Sequence, residues 1–196
     1  MNRREKKTAK RKAIIQAAIE TFAEKGFHKT KILDIAYKAE VADGTIYLYF
    51  KNKDDLLISA LSELFDSILE DMKAKINSLP DNEQKLTKFI DLHIELITQN
   101  VATARFIAIE LRQSQQFYQK YPEFTPLRKY LSFVQELANE AIAKEDVREV
   151  DTEALSYLIF GIVNFVITEW SIRGNVDLDR MKKSILDMIT LGLYRR

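Results

Sequence analysis

The chain contains no cysteine. That single absence removes disulfide bonds, thiolate zinc sites and a cysteine nucleophile. Two histidines, His28 and His93, stand far apart, and neither is flanked by ligand spacing for a metal. Five glycines among 196 residues form neither a G-x-G-x-x-G nor a Walker loop. No pair of carboxylates and no nucleophile–base set is visible; Glu110 and His93 come nearest, and nothing in the sequence places them together. The expectation is a protein without cofactor and without catalysis. There is no internal repeat and no alternating apolar pattern longer than four residues, so a sheet is not expected. The basic start MNRREKKTAKRK leads into no long apolar run. A signal peptide is therefore not expected, and the cytoplasm is the default.

What remains is helix. Apolar residues at 46% and charged residues at 30% describe a soluble globular chain. The net charge of +1 hides a division: residues 1–53 hold 13 Lys and Arg against 6 Asp and Glu, and residues 54–196 hold 17 against 23. A head of +7 on a body of −6 concentrates the attraction for phosphate at one end.

In the head, Ile15, Ala18, Ile19 and Phe22 form one stripe of a 3.6-residue period, predicting a first helix over 8–25 that Gly26 ends. Thr30 is placed to cap a second helix, 31–39, that buries Ile32, Ile35 and Ala36. A brief third helix follows over 43–49, with Ala42 where a capping side chain is usual and Asp43 as a partial substitute. Two short helices about a tight break, the second polar and aromatic, form a helix-turn-helix. The second helix would present Asp43, Gly44, Thr45 and Tyr47 to the major groove, Gly44 allowing close approach of the backbone. Tyr47 and Tyr49 can donate to phosphates, and Lys31 and Lys53 can add cations beside them. Thr30 could serve as a phosphate contact or as a cap alone. Phe50 forms an inward i,i+4 pair with Ile46 and is expected in the core, which is the alternative for Tyr47.

A fourth helix from Asn52 to Leu79, carrying Leu57, Leu61, Leu64, Ile68 and Met72, joins head to body. Helices are further predicted over 83–99, 102–113, 127–144, 152–173 and 177–193. The fold class is all-α: an N-terminal three-helix bundle with a helix-turn-helix (1–53), then a roughly six-helix ligand-binding and dimerisation domain (54–196). The run LSYLIFGIVNFVITEW, 155–170, is apolar around most of its circumference yet short for a membrane span. With the stripe Leu178, Met181, Ile185, Met188 and Ile189, it predicts a homodimer through the last two helices and no membrane partner. For a small lipophilic effector the body offers Phe89, Phe106, Ile109, Phe133 and Phe160 as lining, with His93, Arg105, Arg112 and Asn164 as polar contacts. Each of these also has an ordinary structural alternative, the apolar ones as core and the polar ones as internal pairs or surface charge.

The segment GFHKTKILDIAYKAEVADGTIYLYFKNKDDLL, residues 26–57, resembles the DNA-binding head of the TetR family of transcriptional repressors. Gly26-Phe27, Thr30, Asp34-Ile35-Ala36, Val41, Gly44-Thr45-Ile46-Tyr47, Tyr49-Phe50 and Lys53 carry the likeness; Ala42 departs from it, where a serine cap is common. Within that family, VADGTIYLYFKNK at 41–53 and ELRQS at 110–114 resemble the fatty-acid degradation regulators of Gram-positive bacteria. The resemblance implies a dimeric repressor on inverted-repeat, double-stranded operator DNA, released by long-chain acyl-CoA. The alternative within the family is a repressor of a multidrug efflux system that answers to lipophilic cations.

Overall fold

Ten α-helices make up the regular structure of the described residues, with no strand among them. The computed structural model describes residues 2–110, 115–122, 124–174 and 176–193. By contact, residues 1–66 with 105–124 form one compact unit, and residues 67–104 with 125–196 form a second.

The first unit opens on α1, Arg3–Lys25. It begins five residues earlier than the apolar stripe predicts, because Asn2 and Glu5 cap it reciprocally. The Asn2 side chain accepts the Glu5 N–H at 2.9 Å and the Glu5 carboxylate accepts the Asn2 N–H at 2.8 Å. Gly26 ends the helix at φ +76°, its N–H donating to the Phe22 carbonyl at 2.8 Å. Helix α2, Ile32–Lys38, buries Ile35 and Ala36 and packs on α1 and on α3, Asp43–Ile46. The turn between α2 and α3 holds Glu40 at φ +54°. Helix α3 is shorter than predicted. Beyond Ile46 the chain tightens into i→i+3 bonds, Leu48 N–H to Thr45 and Tyr49 N–H to Ile46, before Phe50 tucks into the core.

Helix α4, Lys53–Asn77, is capped by Asn52, whose side-chain oxygen accepts the Asp55 N–H at 2.8 Å. It contributes residues to both units, as does α6, Val101–Glu110, which follows α5, Asn82–Gln99. Helix α7, Gln115–Lys120, was not expected. Six residues are too few for a full apolar period to be read from the sequence.

In the second unit, α8, Pro126–Ala143, packs along α9, Thr152–Arg173, while α10, Leu178–Leu193, lies on α5 and α9. Asp151 caps α9 through the N–H groups of Glu153 and Ala154, and Gly174 closes it at φ +68°. The core comprises Phe89, Ile90, Phe133, Val134, Val163, Ile167, Ile185 and Ile189. By length and composition alone Thr152–Trp170 would suffice to cross a bilayer, so the run is longer than 155–170 suggests. One-third of it is buried within the chain, including Ser156 and Asn164.

Candidate nucleic-acid interface and effector core

The candidate reading face is the exposed side of α2 and α3. Burial of Ile35, Ala36, Ile46 and Phe50 turns the intervening positions outward. Lys31, Asp43, Gly44 and Tyr47 are exposed, and Thr45 and Tyr49 are half-buried. Tyr47, 57% exposed, is not a core aromatic, whereas Phe50 is, with the Arg11 guanidinium 5.3 Å from its ring centre. Asp43 folds its carboxylate onto the Gly44 N–H at 2.7 Å. A Cβ at Gly44 would meet nothing within 4 Å, so the fold itself does not demand a glycine there. Leu48, Leu33 and Tyr37 are exposed as well, although no expectation from the sequence included them.

Thr30 departs from expectation. It does not cap α2. It is 2% exposed, and its hydroxyl donates to the Gly26 carbonyl at 2.8 Å, tying the α1–α2 loop together. The N-cap position falls on Lys31, whose N–H is accepted by the Asp34 carboxylate at 2.9 Å. The Thr30 hydroxyl is thus an internal group, not a surface donor for phosphate.

Lys53 is also engaged inside the head. Its ammonium donates to the Phe27 carbonyl at 2.9 Å and the Thr30 carbonyl at 3.1 Å, and it stands 4.4 Å from the Phe27 ring centre. An ammonium has three protons, so one remains for an external acceptor. Its neighbour Asp54 accepts from the Tyr121 hydroxyl at 2.8 Å and the Lys120 ammonium at 3.1 Å. Burial pushes the Asp54 carboxyl up, but these two donors hold it below the usual carboxylate range. Phe106 stacks on Phe22 with ring centres 5.8 Å apart. Residues of the α6–α7 stretch are therefore bonded to the head's own unit. Phe106, a candidate for ligand lining with core as its alternative, is buried in that unit.

The second unit gathers Phe89, His93, Phe133 and Phe160 around a residue that the sequence did not flag, Tyr130. Ring centres lie 4.4 Å apart for Phe89–His93, 5.5 Å for Tyr130–Phe160 and 6.2 Å for Phe89–Phe133. The His93 Nδ1–H donates to the Phe89 carbonyl at 2.7 Å, which leaves Nε2 to accept the Tyr130 hydroxyl at 3.1 Å. Burial pulls the His93 pKa down to about 4 and pushes the Tyr130 hydroxyl up, so both are neutral. Lys73 stands 5.1 Å from the Phe133 ring centre, with the Glu136 carboxylate 3.8 Å from its ammonium. Phe89 also lines a cavity of about 60 Å³ bounded by Val134, Leu137, Ala141 and Ile159, with Lys85 and Asn82 among its polar lining. Lys85 is paired with Glu140 at 2.7 Å, and Asn82 donates to Asp146 at 2.5 Å. Asn164 is buried mid-helix on α9. Arg112, with the ELRQS stretch beyond Glu110, lies outside the described residues, as do the side chains of Arg105 and Ile109.

Comparison with known proteins decides the family. The profile of bacterial regulatory proteins of the tetR family matches residues 14–60, and that of the C-terminal region of YsiA-like proteins matches residues 61–192. The chain belongs to the TetR family. It is 34% identical over 186 residues to the fatty acid metabolism regulator protein of Bacillus subtilis, covering 93% of this chain and 95% of that protein. Among solved structures it is similar to the transcriptional regulator FadR of B. subtilis in complex with stearoyl-CoA. That match has a TM-score of 0.81 and 35% identity over 90% of this chain and 96% of the other. FadR of Bacillus halodurans, described as a fatty acid degradation regulator, matches with a TM-score of 0.81 and 32% identity, over 92% and 94% of the two chains. As a TetR-family protein the chain is a DNA-binding regulator, not an enzyme.

Proposed function

We propose that this protein is a repressor of fatty-acid degradation genes that binds an inverted-repeat operator as a homodimer and leaves it when long-chain acyl-CoA binds. The observation that carries the reading is likeness across nearly the whole chain, body included, to a fatty acid metabolism regulator and to a structure holding stearoyl-CoA. Residues 1–53 read the DNA, through Lys31, Asp43, Gly44, Thr45, Tyr47, Tyr49 and the third proton of Lys53. Residues 54–196 take the effector and pair the protomers. The exposed Tyr157, Leu158 and Phe165 of α9 and Met188 and Leu191 of α10 form the isologous face of that pair, with no membrane needed to cover them. The protein acts in the cytoplasm, where its DNA is.

The acyl chain lies among the rings around Tyr130. Preference for acyl-CoA over a lipophilic cation rests on the likeness to the stearoyl-CoA complex, since Lys73 beside the cluster is paired with Glu136 at 3.8 Å. A cavity of about 60 Å³ falls far below the ~300 Å³ at which ligand pockets begin, so filling it parts α5, α8 and α9. That movement is what allows one ligand to prefer one state, as release requires.

The test begins with selection from a randomised duplex library, which should enrich a two-fold symmetric site. Titration of that complex with acyl-CoA of increasing chain length should release the DNA, each methylene strengthening the effect by about 4-fold, equivalent to ~0.8 kcal/mol, until the pocket is full. Release by a lipophilic cation and none by acyl-CoA would overturn the effector assignment.

A further inference from the structure

Ten large apolar side chains stand exposed among the described residues. Five belong to α9 and α10, and four fall within residues 33–48: Leu33 at 65%, Tyr37 at 87%, Tyr47 at 57% and Leu48 at 77%. Isolated exposed leucines are ordinary on protein surfaces. Four such side chains within sixteen residues of a basic head are a local concentration on two helices that pack together.

Its place in the fold limits what can cover it. Leu33 and Tyr37 are four residues apart on α2 and share its outer face. Tyr47 and Leu48 follow directly on α3, against which α2 packs. Exposed Lys29, Lys31 and Lys51 flank these positions in sequence, and residues 1–53 carry a net +7. That charge complements a polyanion, and the two helices are those that a helix-turn-helix lays against DNA.

On the reading that the protein binds an operator, we propose that Leu33 and Leu48 read thymine methyl groups in the major groove. A leucine side chain has no donor or acceptor, so it cannot register the hydrogen-bond pattern of a base edge. The apolar group that the major groove offers is the thymine 5-methyl. An aliphatic side chain against that methyl excludes water from both and disfavours cytosine at the same position, whose C5 bears only hydrogen. Leu33 and Leu48 thus add sequence discrimination, while Lys31, Tyr47 and Tyr49 set register through the backbone.

The test replaces thymine by deoxyuridine, one position at a time and in both half-sites, in the operator enriched from the library. Uracil keeps every hydrogen-bonding group and loses only the methyl. Affinity at fixed salt should fall by about 4-fold per half-site at one or two thymine positions, the value of one apolar carbon removed from contact. Leu48→Ala or Leu33→Ala should lose affinity on the thymine operator and become indifferent to the methyl it touches. Both side chains are surface groups, so thermal melts should match the parent protein. Tolerance of uracil at every position, or alanine variants that keep full sensitivity to every methyl, would overturn the proposal. If a variant fails to fold, tolerance of uracil by the parent protein still overturns the proposal, and Leu48→Ser or Leu33→Ser replaces the alanine variant in assigning the methyl. Absence of any enriched duplex would instead strike at the repressor reading itself.

Discussion

The head and the body use the same residue types to opposite ends. In the head, tyrosine and leucine at 37, 47, 33 and 48 face solvent, while a thin core of Ile35, Ala36, Ile46 and Phe50 holds the two short helices. In the body, Phe89, Tyr130, His93 and Phe133 are buried against one another, and their polar atoms are bonded internally. A surface built for a large, rigid polyanion can be preformed and open. A site for a lipophilic molecule has to be dry, so its residues double as core. The same substitution should therefore affect binding in the head and stability in the body.

Phe89→Ala tests this with the largest effect. Truncating a fully buried phenylalanine should cost about 3–5 kcal/mol of unfolding free energy, seen as a lower denaturant midpoint. A loss under about 1 kcal/mol would mean that the cluster is loosely packed and already open. Next in size is the response to acid. His93 is held neutral, with its pKa down at about 4, against about 6.5 in an unfolded chain. Below pH ~6.5 the unfolded state binds a proton that the native state refuses, so stability falls as pH drops towards 4. The loss attributable to this group is on the order of 3 kcal/mol. His93→Gln should flatten the difference in melting temperature between pH 7 and pH 5 relative to the parent. An unchanged slope would mean that the buried histidine is not the group that titrates.

Tyr47→Ala is the matching change in the head. Stability should move by less than about 0.5 kcal/mol, since the ring is exposed. Operator affinity should fall about tenfold or more, the worth of a hydrogen bond to a charged phosphate. Destabilisation of the head by several kcal/mol would make Tyr47 a core residue and dissolve the contrast between the two regions.

The difference between the regions also explains what the sequence could tell. Helix-turn-helix positions sit at short, fixed spacings, so Asp43, Gly44 and Tyr47 could be placed outward from local periodicity alone. Thr30 and Lys53 could not be read in the same way. Nothing in the sequence says that the Thr30 hydroxyl turns back to Gly26 or that the Lys53 ammonium reaches two carbonyls 23 and 26 residues earlier. In the body, Phe89 and His93 were visible as unusual residues on a helix, but their meeting with Tyr130 joins α5 to α8 across 37 residues. Such a pairing is tertiary and leaves no local trace. Phe106 is the same case: its aromatic character was legible, its stacking on Phe22 was not.

A smaller effect probes the α7 side of the first unit, which the sequence missed. Tyr121→Phe removes the hydroxyl that Asp54 accepts and leaves Lys120 in place. The expected cost is about 1 kcal/mol of stability, with operator affinity in the absence of effector nearly unchanged. If α7 carries the effector's influence to the start of α4, the variant should need more acyl-CoA to release the same operator. An unaltered release curve would make the Tyr121–Asp54 bond structural only.

The smallest expected effect lies in the turn between the two reading helices. Glu40 adopts φ +54°, a left-handed conformation that costs a residue with a side chain roughly 1–2 kcal/mol. Glycine adopts it freely but gives up roughly 0.5–1 kcal/mol through its looser unfolded chain. Glu40→Gly should therefore gain a few tenths of a kcal/mol, raising the melting temperature by about 1 °C in a chain of this size. Because Glu40 is exposed and acidic on a basic head, removing its charge should also strengthen operator binding slightly at low salt, and less at high salt. Loss of stability would show that the Glu40 side chain holds the turn. Loss of affinity with stability intact would show that it orients α3, and the reading face would then depend on the turn as much as on the helices it joins.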